Sequence, residues 1–388
     1  MQPFAFQVIG RDGRSAARAG LLTTPHGPVP TPAFLPVATQ GAVKAATPAD
    51  LEALGATALM TNAYHLAMRP GARTVAELGG VHALAGWPRP IMTDSGGFQV
   101  FSLAHRRRLS ADAVTFQSHV DGSSHSFSPE SVMELHALLG GDMILPLDVC
   151  SAYPADRDTA ARDAETTVRW ARRSLAAHQR QDQLLYGIVQ GSTYADLRGA
   201  CARAIVDLGF RAYAVGGVSV GEPKADMLAA LDATVPLLPE DAPRHLLGVG
   251  ELDDVVEGIA RGLDTFDCVV PTRWARHGTA MTRGGRLNMR NAVHAGDRRP
   301  IEADCTCPAC ARFGRGSIRH FLLAGEILGL QLLTAHNLHV VVGLAAAARR
   351  AILDGTFHLF RHRWTRPTAG LDEAERTGVN DHAAASRT

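Results

Sequence analysis

Eight short apolar runs, at residues 33–37, 57–61, 90–93, 143–147, 185–189, 213–216, 245–249 and 265–270, limit what this chain can fold into. Each is of strand length and too short for a buried helix. The segments between them read as helices. Residues 128–139 open Ser128-Pro129-Glu130, an N-cap followed by proline at the first helical position, and 251–263 carry an amphipathic pattern. Strands that alternate with helices run parallel, because a parallel neighbour needs a long crossover. Eight such units predict an α/β fold of the (β/α)8 TIM-barrel type, with reactive residues at the C-terminal ends of the strands. A doubly wound open sheet is the competing arrangement.

The runs end in Asn62, Asp94, Asp148, Gln190, Gly217, Gly248 and Asp267, each polar or glycine, as an active-site rim requires. Asp94-Ser95-Gly96-Gly97 sets a carboxylate before bare backbone that can pass close to a ligand. Asp267 lies inside an apolar run, Phe266-Asp267-Cys268-Val269, where a buried carboxylate needs a partner or a task. Two carboxylates in one barrel mouth suit glycosyl transfer, one attacking the anomeric carbon and the other serving as acid and then base. Asp148, Gln190 and the Gly216-Gly217 backbone add acceptors and donors that match the edge of a guanine-like base.

Lys+Arg 39 against Asp+Glu 38 leaves a net charge of +1, which excludes a strongly basic nucleic-acid binder, and 46% apolar residues exclude a disordered chain. Locally the balance differs: residues 261–320 hold 11 Arg against 5 Asp+Glu, a surplus suited to an anionic partner. Residues 1–13 hold no apolar run of signal-peptide length, and the longest apolar stretch, 340–348, is too short to span a bilayer, so a cytoplasmic location is expected. Residues 365–388 show no periodicity and are expected to be a disordered tail.

Cys305, Cys307 and Cys310 are too close together for a disulfide framework. With His336, 26 residues on, they offer three thiolates and an imidazole, a closed set suited to one structural Zn²⁺. His339 is the alternate fourth ligand. Cys150, Cys201 and Cys268 read as buried thiols. The expected organisation is a catalytic barrel over 1–300, an inserted zinc-binding subdomain with a closing helix over 301–364, and the tail.

Several stretches together resemble the tRNA-guanine transglycosylases, the bacterial queuine tRNA-ribosyltransferases. They are Thr61-Asn62-Ala63-Tyr64-His65-Leu66, Met92-Thr93-Asp94-Ser95-Gly96-Gly97-Phe98-Gln99, Gly187-Ile188-Val189-Gln190-Gly191, Val215-Gly216-Gly217, Gly248-Val249-Gly250, Phe266-Asp267-Cys268-Val269-Val270-Pro271-Thr272-Arg273 and the cysteine cluster with His336. The resemblance implies exchange of guanine at the anticodon wobble position of GUN-anticodon tRNAs, those for Asp, Asn, His and Tyr. The incoming base would be 7-aminomethyl-7-deazaguanine, a queuosine precursor.

By that resemblance Asp267 is the nucleophile of a covalent ribosyl intermediate and Asp94 the acid/base, oriented by Asn62. Ser95, Gly96, Gly97, Asp148, Gln190 and the Gly217 N–H surround the base, with Phe98 and Leu247 sandwiching its ring. Gly248, Val249, Gly250, Glu251, Leu252, Asp253 and Asp254, and then Thr272, Arg273, Trp274, Ala275 and Arg276, match segments that contact the anticodon loop. Arg273 and Arg276 are the expected phosphate and base contacts. The base must be flipped out for its anomeric carbon to be reached. A homodimer is implied by the family alone.

The chain departs from the family at Val149, Leu247, Trp274 and within Gly217-Val218-Ser219-Val220-Gly221-Glu222. Val220 and Cys150 follow the bacterial pattern that admits the smaller precursor. The competing functions are queuine salvage, a non-catalytic tRNA-binding subunit, the archaeal D-loop type and a barrel hydrolase. Retention of both Asp94 and Asp267 argues against the binding subunit. The length after His336 argues against the archaeal type, and a closed Cys₃His set against a catalytic metal.

Overall fold

A computed structural model describes residues 3–97 and 107–365. The eight runs form β1 (Ala33–Pro36), β2 (Leu59–Asn62), β3 (Ile91–Asp94), β4 (Met143–Ile144), β5 (Leu184–Leu185, resuming at Gly187–Val189), β6 (Tyr213–Val215), β7 (Arg244–Leu246) and β8 (Thr265–Cys268). They pair in parallel as two arcs, β2 to β5 and β5 to β8 followed by β1.

β5 belongs to both arcs. Its first half pairs with β4 and its second with β6, with Tyr186 N donating to Ile144 O at 3.0 Å and Gly187 N to Ala212 O at 2.8 Å. The other seam is a parallel bridge from Val37 to Met60, beside which Ala38 N donates to Met60 O at 2.7 Å. Eight parallel strands thus follow one another round a ring. An open doubly wound sheet would leave two free edges, so that alternative falls.

The strands are buried on both faces, which is why they read as continuous apolar runs rather than alternating ones. Inside the ring Leu35, Met60, Met92, Met143, Leu145, Ile188 and Ala214 pack into one core. Leu22 and Val29 join that core from an antiparallel sheet of Ala5–Arg11, Arg18–Thr24 and Gly27–Thr31, and Phe4 joins it from just before the first of these strands. This sheet plugs the N-terminal end of the barrel. Arg18 fixes it there, its Nη2 meeting Asp264 Oδ2 at 2.5 Å with both side chains fully buried. With that end sealed, the C-terminal mouth is the end left for a ligand.

Ser128 caps the helix Pro129–Leu139 by accepting from Ser131 N, as the Ser-Pro-Glu opening requires. The expected helix over 251–263 is shorter, Leu252–Ala260, because Gly262 turns left-handed at φ +89°. The apolar stretch at 340–348 is the middle of a 27-residue helix, Ile327–Leu353, and this corrects the sequence reading. By length and composition alone that helix could cross a membrane, but most of its apolar window is buried within the protein. Asn337 on it accepts from Met281 N and donates to Pro271 O and Thr279 O. A separate small core, from Ala275 through Ile301 and Cys307 to Leu333, surrounds the cysteine cluster and draws on residues on both sides of position 300.

Candidate active site and metal centre

The C-terminal ends of the strands surround a cavity of about 320 Å³. Asp94 from β3 and Asp267 from β8 both line it, together with Ser95, Gly97, Asp148, Gln190, Gly217, Leu247, Gly248 and Arg273. Of the base-contacting residues expected from sequence, Phe98 lies outside the described residues, and Gln99 with it.

Asp94 accepts from Asn62 Nδ2 at 2.9 Å on one oxygen and from Gly96 N at 2.9 Å on the other. Asn62 ends β2 and is paired in register with Asp94, so neighbouring strand ends aim the two side chains at each other. Burial pushes the Asp94 carboxyl up to about 7, the negative charge of Asp267 adds to this, and the hydrogen bonds oppose it without cancelling it. Near neutral pH this carboxyl is poised to give or take a proton. Asp267 differs: its Oδ1 faces His245 Nε2 at 3.1 Å and accepts from Gly248 N at 3.0 Å.

Burial also raises Asp148, to about 6, against a 2.7 Å hydrogen bond from Gln190 Nε2. The other amide atom, Gln190 Oε1, is buried and has no partner among the described residues. Such an acceptor costs roughly 1–3 kcal/mol when left unpaired, so a ligand donor is the natural complement. Glycine is required beside it. Gly217 has φ +65°, and a Cβ there would come within 2.1 Å of Gln190 Oε1. Gly96, at φ +76°, lies against Tyr64, where a Cβ would meet the Tyr64 Cβ at 2.1 Å.

Behind this wall sits a residue the sequence reading missed, Arg198. It is fully buried and donates to the carbonyls of Ser192, Gly216 and Gly217 at 2.7, 2.7 and 2.8 Å. No run or motif pointed to it, because its acceptors are backbone atoms.

The two segments expected to meet RNA flank the mouth. Gly248, Arg273 and Arg276 are exposed, while Glu251, Leu252, Asp253, Asp254 and Trp274 are half-buried. Val249, Gly250, Thr272 and Ala275 are buried. Lys224 pairs with Asp253 and Asp254, and the Arg286 guanidinium lies 4.1 Å over the Trp274 ring while meeting Glu251 at 2.6 Å.

In the small core, His336 Nδ1 lies 3.6, 3.5 and 3.4 Å from the sulfurs of Cys305, Cys307 and Cys310. Sulfur and nitrogen ligands at about 2.3 and 2.0 Å from one tetrahedral ion stand roughly 3.5 Å apart. His336 Nε2 is 2.9 Å from Met281 O, so this nitrogen carries the proton and Nδ1 turns its lone pair to the sulfurs. His339 faces Thr306 instead, so His336 is the residue the cluster uses.

A second group, His26, His82 and Asp142, sits at the N-terminal end of the barrel. There His26 Nδ1 and His82 Nε2 are 2.7 and 2.9 Å from the Asp142 oxygens. These are hydrogen-bond distances, shorter than the roughly 3.3 Å between nitrogen and oxygen ligands of one ion.

Comparison with known proteins agrees with this geometry. A family model described as Queuine tRNA-ribosyltransferase matches residues 12–369. Among curated proteins, the Queuine tRNA-ribosyltransferase of Pelotomaculum thermopropionicum is 50% identical over 366 residues, 94% of this chain and 99% of that protein. The proteins of the same name from Halothermothrix orenii and Symbiobacterium thermophilum are 48% and 50% identical, over 93% and 97% of this chain and 97% and 96% of their own lengths.

Proposed function

The chain belongs to the queuine tRNA-ribosyltransferase family, and from that premise we propose a double-displacement mechanism for its tRNA-guanine transglycosylation in the queuosine pathway. The observation that carries the mechanism is the unequal preparation of two carboxylates in one cavity. Asp94 is held protonated up to about 7, whereas Asp267, which lines the cavity, has two hydrogen-bond contacts on one oxygen and none on the other among the described residues.

In the first half, a lone pair of the Asp267 carboxylate forms a bond to ribose C1′. The C1′–N9 pair departs with guanine, which takes the Asp94 proton. In the second half the incoming base gives a proton to Asp94 and its N9 attacks C1′, and the C1′–O pair returns to Asp267. One N-glycosidic bond replaces another, so no outside energy source enters. Asp148 and Gln190 meet the Watson–Crick edge, Gly217 N–H meets the carbonyl, and Phe98 and Leu247 hold the ring.

The incoming base is 7-aminomethyl-7-deazaguanine and the acceptors are the GUN-anticodon tRNAs, bound in the cytoplasm by a homodimer. Arg273 at the mouth and the exposed Arg276 on the same helix, within the Arg-rich stretch 261–320, carry the anticodon contacts. The catalytic barrel spans 1–300. The subdomain at 301–364 holds one structural Zn²⁺ on Cys305, Cys307, Cys310 and His336, which when bound would tie the cysteine loop to the helix Ile327–Leu353.

The test is exchange of labelled guanine into unmodified tRNA bearing guanine at the wobble position, with 7-aminomethyl-7-deazaguanine and queuine as competitors. Block chiefly by the aminomethyl base supports the reading. Block chiefly by queuine makes this a salvage enzyme, and absence of exchange makes it a tRNA-binding subunit.

A further inference from the structure

β7 ends beside Asp267, and it contributes a histidine that neither the motifs nor the family resemblance picked out. His245 is fully buried and stands opposite Thr265 in the β7–β8 register. Thr265 and Asp267 are two apart on β8, so their side chains leave the strand on the same face. The imidazole spans them, with Nδ1 2.9 Å from Thr265 Oγ1 and Nε2 3.1 Å from Asp267 Oδ1.

For Asp267 to act as nucleophile its carboxylate must be an acceptor, an arrangement in which Nε2–H donates a hydrogen bond to Asp267 and Nδ1 accepts one from the Thr265 hydroxyl. Thr265 is fully buried and β-branched, which leaves its χ1 little freedom. The ring is therefore held at both ends. Gly248 N donates to the same Asp267 oxygen at 3.0 Å. Among the described residues Oδ2 has no hydrogen-bond partner, and Asp267 opens onto the cavity.

We propose that His245 is a positioning residue which, with the Gly248 N–H, commits Asp267 Oδ1 and so selects Oδ2 as the atom that bonds to ribose C1′. This rests on Asp267 being the nucleophile. As the Oδ2–C1′ bond forms and the C1′–N9 pair leaves with the protonated guanine, Oδ1 becomes the carbonyl oxygen of the new ester. The two donors stay with it throughout. In the second half they take up charge as the C1′–O pair returns to the carboxylate, which makes Asp267 a better leaving group.

The experiment compares His245→Phe, His245→Gln and Thr265→Val with the parent enzyme in guanine exchange. It reads kcat, KM for tRNA and for guanine, the rate of covalent RNA–protein adduct formation on denaturing gels, and melting temperature. His245→Phe removes the donor and should lower kcat and the adduct rate about 100-fold, the cost of a nucleophile displaced by about an ångström. Both KM values should stay within about twofold, since ground-state binding is untouched. His245→Gln restores an N–H and should recover most of the loss. Thr265→Val frees one end of the ring and should lower kcat severalfold when assayed well below its melting temperature, which the unpaired Nδ1 lowers only modestly.

Full kcat in His245→Phe overturns the proposal. So does a His245→Gln enzyme as slow as the Phe variant, or a loss that follows melting temperature alone. Should the Phe variant not fold, Thr265→Val decides, and unchanged kcat there counts against the proposal. An active Asp267→Ala enzyme would instead remove the premise, whereas an inactive one beside a fully active His245→Phe refutes only the positioning role.

Discussion

The barrel mouth and the cysteine cluster are both knots of polar groups set in apolar surroundings, and they resolve the cost of burial in opposite ways. In the cluster every donor faces one centre, and even the far nitrogen of His336 is spoken for by Met281 O. In the mouth bonding capacity is left over. Among the described residues Gln190 Oε1 and one Asp267 oxygen have no partner, and burial raises the Asp94 and Asp148 carboxyls toward neutral pH. A site that only holds structure closes on itself, whereas a site that handles a substrate keeps unmet valence for it.

The sharpest break of that comparison is Asp267→Ala. It should lower exchange by about 10⁴-fold, as loss of a nucleophile does, and leave the melting temperature no lower, because a charge that repels Asp94 is gone. A fall in melting temperature with activity retained would reverse the roles assigned to the two regions.

Cys307→Ala should do the opposite. It should abolish metal retention, read by elemental analysis, and cost several kcal/mol of stability, with the remaining folded fraction still exchanging guanine. Normal stability without metal would show that the cluster holds no ion in use.

Asp94→Asn separates chemistry from folding by pH. The unfolded carboxyl ionises near 3.8 and the folded one near 7, so the folded state keeps a proton that the unfolded chain has lost. That contribution is fully present below about pH 4 and fades as pH rises through about 7. Relative to the parent, the Asn protein should therefore gain stability between pH 5 and 8, up to about 4 kcal/mol at pH 8, while exchange is lost. Identical pH–stability curves would show that the native carboxyl is not raised.

The smallest effect is expected for Gln190→Leu. Removing one hydrogen-bonding partner of the base should raise KM for guanine about tenfold with little change in KM for tRNA. An equal rise in both would move Gln190 from base recognition to the scaffold of the mouth.

Much of this molecule was legible in one dimension because its signals are local. A strand buried on both faces must be an apolar run, so all eight strands could be located. Its end must be polar where it meets a cavity, so Asn62, Asp94, Asp148, Gln190 and Asp267 stood out. Three cysteines within six positions are unsuited to disulfides, and this alone pointed to a metal. The choice of His336 over His339 was not local. It depended on which face of the helix Ile327–Leu353 met the cysteines, and on Met281 O fixing the tautomer.

Closure of the ring was equally hidden, since it rests on β5 changing partners at Tyr186 and on the bridge from Val37 to Met60. His245 and Arg198 read as ordinary residues because their partners, Asp267 and the carbonyls of Gly216 and Gly217, arrive from other strands. The sequence by itself determined which segments are strands and which side chains could do chemistry, because hydrophobic pattern and residue type act at short range. Only the tertiary structure decided which carboxyl is raised by burial and which oxygen of Asp267 takes the hydrogen bonds. Desolvation and hydrogen bonding are properties of the groups that surround an atom, and those groups come from every part of the chain.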